Sequence, residues 1–322
     1  MAAFQPFKGH TGAIHCLEYS PDGAFLATGS ADRTIRIWNA TTGHQVGLPL
    51  EGHTGFVSAI DYSPTGNQLV SGSYDRSLRV WDTNTHKTII GSVKRHTDSI
   101  SAVKYSPDGA FFASGGSDGL FRLWNAGTVD CIRTFEYPNY VNSISFSPDN
   151  NHVAAVCNDS LVRFFSVNPP QLLRELSGHS DRKINHAIAA HYSPDGLLIA
   201  SASDDFTIRL WSALTEKLTL HPLRGHTGSI AALSFSSDGQ RLFSCSEDKS
   251  IRIWNVKSGT CVSGPLYRHG GQVDSICCSP DQSHFASCNS GGVRVWMVLP
   301  KVSHLRMSMS LRILQRPSVV NV

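Results

Sequence analysis

The sequence predicts an all-β fold, a seven-bladed β-propeller, on three observations: a motif that returns seven times, a turn signature that returns with it, and strand-like alternation in between. Gly-His or Arg-His pairs end at His10, His53, His96, His179, His226 and His269. Trp38, Trp81, Trp124, Trp211, Trp254 and Trp296 follow at nearly constant distance, and Phe165 stands where a seventh Trp would be. The intervals along these seven aromatic positions are 43, 43, 41, 46, 43 and 42 residues. Self-similarity at such a period marks small four-stranded sheets repeated around an axis, none of which buries its faces alone.

Each element of the repeat has its own signal. The first strand is apolar at Ile14 and Cys16, then changes phase to Leu17 and Tyr19. The same jump occurs at Val57, Ala59, Ile60, Tyr62 and at Ile100, Ala102, Val103, Tyr105. A phase change at a fixed place in repeated strands predicts a β-bulge, which re-aims neighbouring side chains. The turn that follows is of Ser-Pro-Asp-Gly type at Ser20, Ser63, Ser106, Ser147, Ser193, Ser236 (with Ser237 in place of Pro) and Ser279. Proline presets φ there, while glycine, or Asn150 in its stead, supplies a left-handed residue. In the second repeat the strands read Val57–Tyr62, Gln68–Gly72 and Ser77–Asp82, with a last strand before the next His. The third strand alternates strictly, as in Ile35-Arg36-Ile37-Trp38, at the period of a half-buried strand.

Proline lies four residues before the repeat His at Pro6, Pro49, Pro222 and Pro265. It is tolerated on an outermost strand because no essential ladder bond is lost there. Pro6 thus belongs to a fourth strand whose companions are missing upstream, whereas three strands ending at Trp296 lack a fourth. Residues 2–7 are therefore expected to complete the last blade and close the ring, removing two sheet edges. The propeller is expected over residues 1–298. Residues 299–322, with Lys301, Arg306, Arg312 and Arg316 and no acidic residue, form a basic tail outside the pattern. That tail reads as flexible, with a short amphipathic helix from Leu305 to Leu314 as the other reading.

These motifs (G-H-T-G, S-P-D-G, S-G-S-x-D and I-R-I-W-[DN]) resemble the WD40, or Gβ-like, propeller family, and most of all the very regular WD40 arrays of fungal proteins. The resemblance implies a buried His–Ser/Thr–Asp–Trp tetrad in each blade. It maps onto His10, Thr28, Asp32 and Trp38; onto His53, Ser71, Asp75 and Trp81; onto His96, Ser114, Asp118 and Trp124; and onto His226, Ser244, Asp248 and Trp254. Blade five keeps Ser201, Asp205 and Trp211, but its His179 lies four residues further away. Blade four has Tyr137, Ala155, Asp159 and Phe165, and blade seven has His269, Ser287 and Trp296 with Gly291 at the Asp position. Blades four and seven are expected to be the weaker ones.

Ser, His and Asp recurring together invite a hydrolase reading, but a catalytic constellation occurs once, and this one recurs with a Trp attached. Gly115-Gly-Ser-Asp-Gly119 matches the nucleophile elbow, which requires a strand-to-helix turn that this repeat does not provide. No phosphate loop or zinc spacing is present, so neither enzyme nor cofactor chemistry is expected. Arginine two residues before the Trp position recurs in all seven blades, which favours an architectural role. The net charge is +3, and setting aside the four basic residues of the tail leaves the body at −1. Such a body lacks the basic footprint of a nucleic-acid binder. Eight cysteines without a C-x-x-C, no signal pattern at the start and no long apolar run point to an intracellular protein, cytoplasmic or nuclear.

The resemblance also implies that partners bind the narrow face around the central channel. The positions concerned lie three and five residues after the repeat His and one before the tetrad Asp. Carried over, they give His15, Phe56, Tyr74, Tyr140, Asn142 and Asn158 on the first four blades. Asp204, Glu247, Gln272 and Asp274 follow on the last three. Aromatics at 56, 74 and 140 would serve as anchors, and the acidic residues would form an opposite arc. His186, in the four-residue insertion before the first strand of blade five, falls on the same face. The family's ubiquitin-ligase adaptors often carry W-D-x-R, whereas Trp81-Asp-Thr-Asn84 lacks the Arg. An interaction scaffold for proteins or peptides is the first expectation, and a reader of modified peptides such as histone tails the second.

Overall fold

The computed structural model describes residues 7–159, 161–179, 187–215 and 217–298, and these are entirely strands and turns. Seven antiparallel sheets follow one another along the chain, each a meander running from an innermost to an outermost strand. The innermost strands are Ile14–Tyr19, Val57–Tyr62, Ile100–Tyr105, Val141–Phe146, Ala187–Tyr192, Ile230–Phe235 and Ser275–Cys278. Each packs against the innermost strand of the next blade, and the last packs against the first. Six sheets have four strands; the seventh has three among the described residues. Residues 2–6, on which the expected closing strand falls, and the tail from Leu299 lie outside the described residues. Pro49 and Pro265 sit in the outermost strands Gln45–Leu50 and Cys261–Leu266, where proline loses no ladder bond.

The bulge is where the phase jump places it. Val57 pairs with Ser73 and Ala59 with Gly72, so Ser58 stands out of register, and the same shift recurs in the first six blades. The freed hydroxyls join neighbouring blades: Ser58 donates to the Ile100 carbonyl and Ser101 to the Val141 carbonyl. At the opposite end, the Ser-Pro turns form a second set of joints. Ser20 Oγ donates to Asp22 at 2.6 Å and accepts the Phe25 N–H at 2.9 Å, fixing the turn. Gly66 faces Pro21 of the preceding blade, and a Cβ there would lie 3.4 Å from the proline ring; Gly23 faces Pro280 at the same distance, so blade seven meets blade one. Asn150 takes the left-handed conformation expected of it (φ 62°), and Gln282 does the same in blade seven (φ 61°).

The core lies between blades. Each apolar cluster combines residues of two adjacent sheets, such as Ile37 and Leu50 of blade one with Ile60, Leu69 and Trp81 of blade two. Phe7 is buried at the seam, in a cluster holding Trp38 of blade one and Cys277, Ala286 and Val295 of blade seven. All eight cysteines are free thiols, and five are buried. Burial pushes the Cys16 and Cys157 thiols up to about 12.

The tetrads are hydrogen-bonded chains. In blade two Trp81 Nε1 donates to Ser71 Oγ at 2.8 Å, Ser71 meets His53 Nε2 at 2.7 Å, and His53 Nδ1 meets Asp75 at 2.9 Å. A single tautomer satisfies every atom: the imidazole donates to the carboxylate and accepts the hydroxyl proton. Blades one, three and six repeat it. Blade five completes it as well, because His179 reaches Asp205 at 3.2 Å and Ser201 at 2.8 Å despite the insertion. The glycine before the His is also explained. At Gly178 a Cβ would lie 2.4 Å from the Trp211 ring, and at Gly225 it would meet the Arg252 guanidinium and the Trp254 ring.

Blades four and seven solve the problem differently. In blade four Arg163 makes a two-pronged ion pair with Asp159 (3.0 and 2.6 Å) and bonds Glu175 at 2.7 Å. Its guanidinium carbon lies 4.4 Å from the centre of the Tyr137 ring, and Phe165 packs with Phe121 and Phe135. In blade seven Ser287 still joins His269 and Trp296, but Asn289 bonds the imidazole in place of a carboxylate. The matched Gly115–Gly119 stretch runs from a strand through a tight turn into the next strand.

Candidate partner-binding face

The links between blades and the second-to-third-strand turns lie at one end of every sheet, and the Ser-Pro turns at the other. The first end holds the positions expected to bind partners. Its geometry follows from one backbone bond repeated around the ring. Tyr74 N donates to the Phe56 carbonyl at 2.9 Å, and Ala31 to Ala13, Ser117 to Ser99 and Asn158 to Tyr140 do likewise. The residue before the tetrad Asp and the residue three after the His are thereby held side by side, next to the bulge.

Phe56 and Tyr74 are 46% and 58% exposed, with ring centres 5.7 Å apart. His15, the bulge residue of blade one, stacks on Phe56 at 6.0 Å. His15 Nε2 is buried without a hydrogen-bond partner among the described residues. His15 also lies close enough to Asp274 of blade seven to affect its carboxyl. Burial pushes that carboxyl up, His15 pulls it down, and Glu247 of blade six pushes it further up. Asp274 therefore borders the aromatic run instead of opposing it, because ring closure sets blade seven beside blade one, whereas Asp204 stays on blade five. Ring contacts join His15, Phe56 and Tyr74, and Asp274 and Glu247 stand on blades seven and six, the next blades around the circle.

The remaining expected residues join this run less directly. Tyr140 is 53% exposed and stacks on no other ring among the described residues. Asn142 and Asn158 are half-buried beside it, and both engage other groups. Gln272 is exposed on blade seven, and Asp204, on blade five, accepts a hydrogen bond from Ser203 at 3.3 Å. His186 and the rest of the insertion from Ser180 lie outside the described residues. In blade three, Ser99 and Ser117 bond each other at 2.9 Å.

One residue escaped the reading of the sequence. Phe206 follows the tetrad Asp of blade five, is 44% exposed and has φ of 66°. Arg33, Arg76, Gly119 and Lys249 hold the same left-handed position in other blades. A bulky apolar residue there is strained, and strain of this kind gathers at functional sites. The signal was visible as an aromatic in a column otherwise filled by Gly, Ser, Arg and Lys.

Comparison with known proteins follows this architecture. A family model described as "WD domain, G-beta repeat" matches residues 3–39, 44–82, 87–125, 129–166, 170–212, 217–255 and 259–297. Among curated proteins, the chain is similar to "Target of rapamycin complex subunit LST8-1" of Arabidopsis thaliana, 34% identical over 27% of this chain and 28% of the relative. It is also similar to the human "Serine-threonine kinase receptor-associated protein", 33% identical over 29% of this chain and 25% of the relative. "Protein Mut11" of Chlamydomonas reinhardtii is 54% identical over 12% of this chain and 10% of the relative. The aligned segments span about a quarter or less of these relatives.

Proposed function

The chain belongs to the WD40 family of WD-domain, G-beta repeats, and from that premise we propose that it is a non-enzymatic scaffold that binds partner proteins or peptides in an assembly. The observation that carries this reading is the ring run His15, Phe56, Tyr74, with Phe56 and Tyr74 exposed and Asp274 and Glu247 on the blades beside His15. Aromatic side chains held in place by backbone and bulge are the residue types that anchor interfaces. The adjoining acidic groups favour a partner segment that pairs an apolar side chain with a basic one. Two of the similar proteins carry names that speak of a complex subunit and of association with a receptor, which agrees with such a role. The Ser–His–Asp groups are bound to Trp indoles in closed networks, an arrangement suited to holding blades. Eight free thiols suit a reducing compartment, cytoplasm or nucleus.

The test is a pull-down from cell extract with the Phe56→Ala, Tyr74→Ala double variant beside the unaltered chain. Loss of co-purifying partners with an unchanged melting temperature is the expected result. Retention of every partner would remove this face from consideration. A second reading, a receptor for modified lysine in a peptide, draws on two neighbouring rings beside a carboxylate, which attract a quaternary ammonium. Binding of methylated over unmethylated peptides on an array would favour it.

A further inference from the structure

Blade seven ends in an open edge. Its third strand, Gly292–Met297, is the last of a three-stranded sheet, with no strand on its outer side among the described residues. The side chains show the consequence. The two apolar residues that alternate on this strand are 3% exposed or less in each of the other six blades, from Ile35 and Ile37 to Ile251 and Ile253. Their counterparts Val293 and Val295 are only half-buried, although Phe7 packs nearby. An open edge with an uncovered apolar face is a template for one more strand.

Arg294 indicates which strand fits. In blades one, three and four the arginine of the third strand bonds an acceptor on the fourth: Arg36 to Gln45, Arg122 to Thr134 and Arg163 to Glu175. In blade five the tetrad Asp205 supports the charge of Arg209. Arg294 has neither among the described residues, because no fourth strand stands there and Gly291 replaces the tetrad Asp. Burial and the Arg268 guanidinium push it below its ordinary value, and no carboxylate among the described residues opposes them. Arg268 is exposed and stands where blades one, two, five and six have glycine before the His. Two guanidiniums thus border the open edge. Neither residues 1–6 nor residues 299–322 contain an Asp or Glu to meet them, and a second copy would bring the same two arginines. An acidic strand from another protein is the complement.

We propose that the edge of blade seven docks an extended segment of a partner protein, which adds itself as the fourth strand with an Asp or Glu opposite Arg294. Side chains alternate along a strand, so the residues on either side of that acid stand opposite Val293 and Val295 and are apolar. Blade four shows the pattern within this chain: Glu175 stands opposite Arg163, and Leu176 opposite Val162. The surface lies on the outer rim of the ring, apart from the aromatic run, and does not depend on the reading given to that face.

The test is fluorescence anisotropy of labelled Ser-Thr-Val-Glu-Val-Thr-Ser with the full chain, beside the same peptide with Gln in place of Glu. Saturable binding of the acidic peptide is expected, about tenfold tighter than that of its neutral twin, the size of one charge-assisted contact. Arg294→Gln should erase this preference, and Phe56→Ala with Tyr74→Ala should leave it intact. Arg268→Gln, at an exposed position, should reduce it about threefold, and keeps the test decisive where Arg294→Gln lowers the melting temperature. The proposal fails if the full chain binds neither peptide, if both bind equally, or if neither arginine variant changes the preference. It also fails if the acidic peptide binds only after removal of residues 1–6 or 299–322, which gives the edge to the chain's own ends. A dimer in sedimentation that the peptide does not dissociate would give the edge to a second copy and overturn it as well.

Discussion

At Asp75 four donors converge on one carboxylate. Oδ2 accepts from His53 and from the Thr54 N–H at 2.8 Å, and Oδ1 accepts from the Ser77 N–H and hydroxyl at 2.9 and 2.5 Å. Burial alone would raise this carboxyl; the bonds from His53 and Ser77 outweigh it and hold the group well below the ordinary carboxylate range. Asp75→Ala strands those donors and should cost about 1–3 kcal/mol, read as a lower melting temperature. His269 behaves in the opposite sense. Burial and the Arg294 charge drive it down to about 4, while Asn289, as acceptor of the imidazole N–H, raises it only in part. Its unfolded counterpart takes a proton near pH 6.5, so the stability tied to its neutral form is complete above that pH. It is lost as pH falls from 6.5 towards 4, to a total of about 3 kcal/mol. Denaturant midpoints between pH 7 and 4 should show this slope, and His269→Gln should flatten it. The missing Asp of blade seven could be read from the sequence; the amide that takes its place two residues earlier could not, because an Asn in a strand has no fixed partner until the strand's neighbours are known.

Blade four shows how much of an element can be read from its pattern. Its strands, turn and bulge were legible, since alternation and phase are properties of the local chain. Its substitute for the tetrad was not. Arg163 occupies a column filled by arginine in every blade, so nothing marked it as special. Only the fold sets it against Asp159, Glu175 and Tyr137. Burial would lower the guanidinium, yet the bonds it donates to Asp159 and the surrounding negative groups hold it above its ordinary value. Arg163→Met should destabilise the protein through the carboxylate left behind, and adding Asp159→Asn should recover part of the loss. Thermal melts of the two variants check this; equal melting temperatures for single and double variants would mean the pair is not coupled.

Around the whole ring, stability depends on seams more than on sheets, because each apolar cluster belongs to two blades. The seam between blades seven and one carries Phe7, whose ring meets Trp38 edge-on at 5.7 Å. Phe7→Ala should cost about 3–5 kcal/mol, the usual range for emptying a buried aromatic site, and chemical denaturation would measure it. The number of blades was legible from the spacing alone. The meeting of Asp274 with His15 was not, since the residues are far apart in the chain and become neighbours only when the circle shuts.

Six indoles sit in nearly identical surroundings: each is 4% exposed or less, and each donates to a serine or threonine oxygen at 2.8–2.9 Å. Blade four has Phe165 instead. Intrinsic fluorescence of this protein is therefore an average over six blades and is blind to one. A melt followed at tryptophan wavelengths can look complete before or after blade four has come apart. Giving that blade its own reporter would take two changes, Phe165→Trp and Ala155→Ser, because the new indole N–H would otherwise find no oxygen waiting.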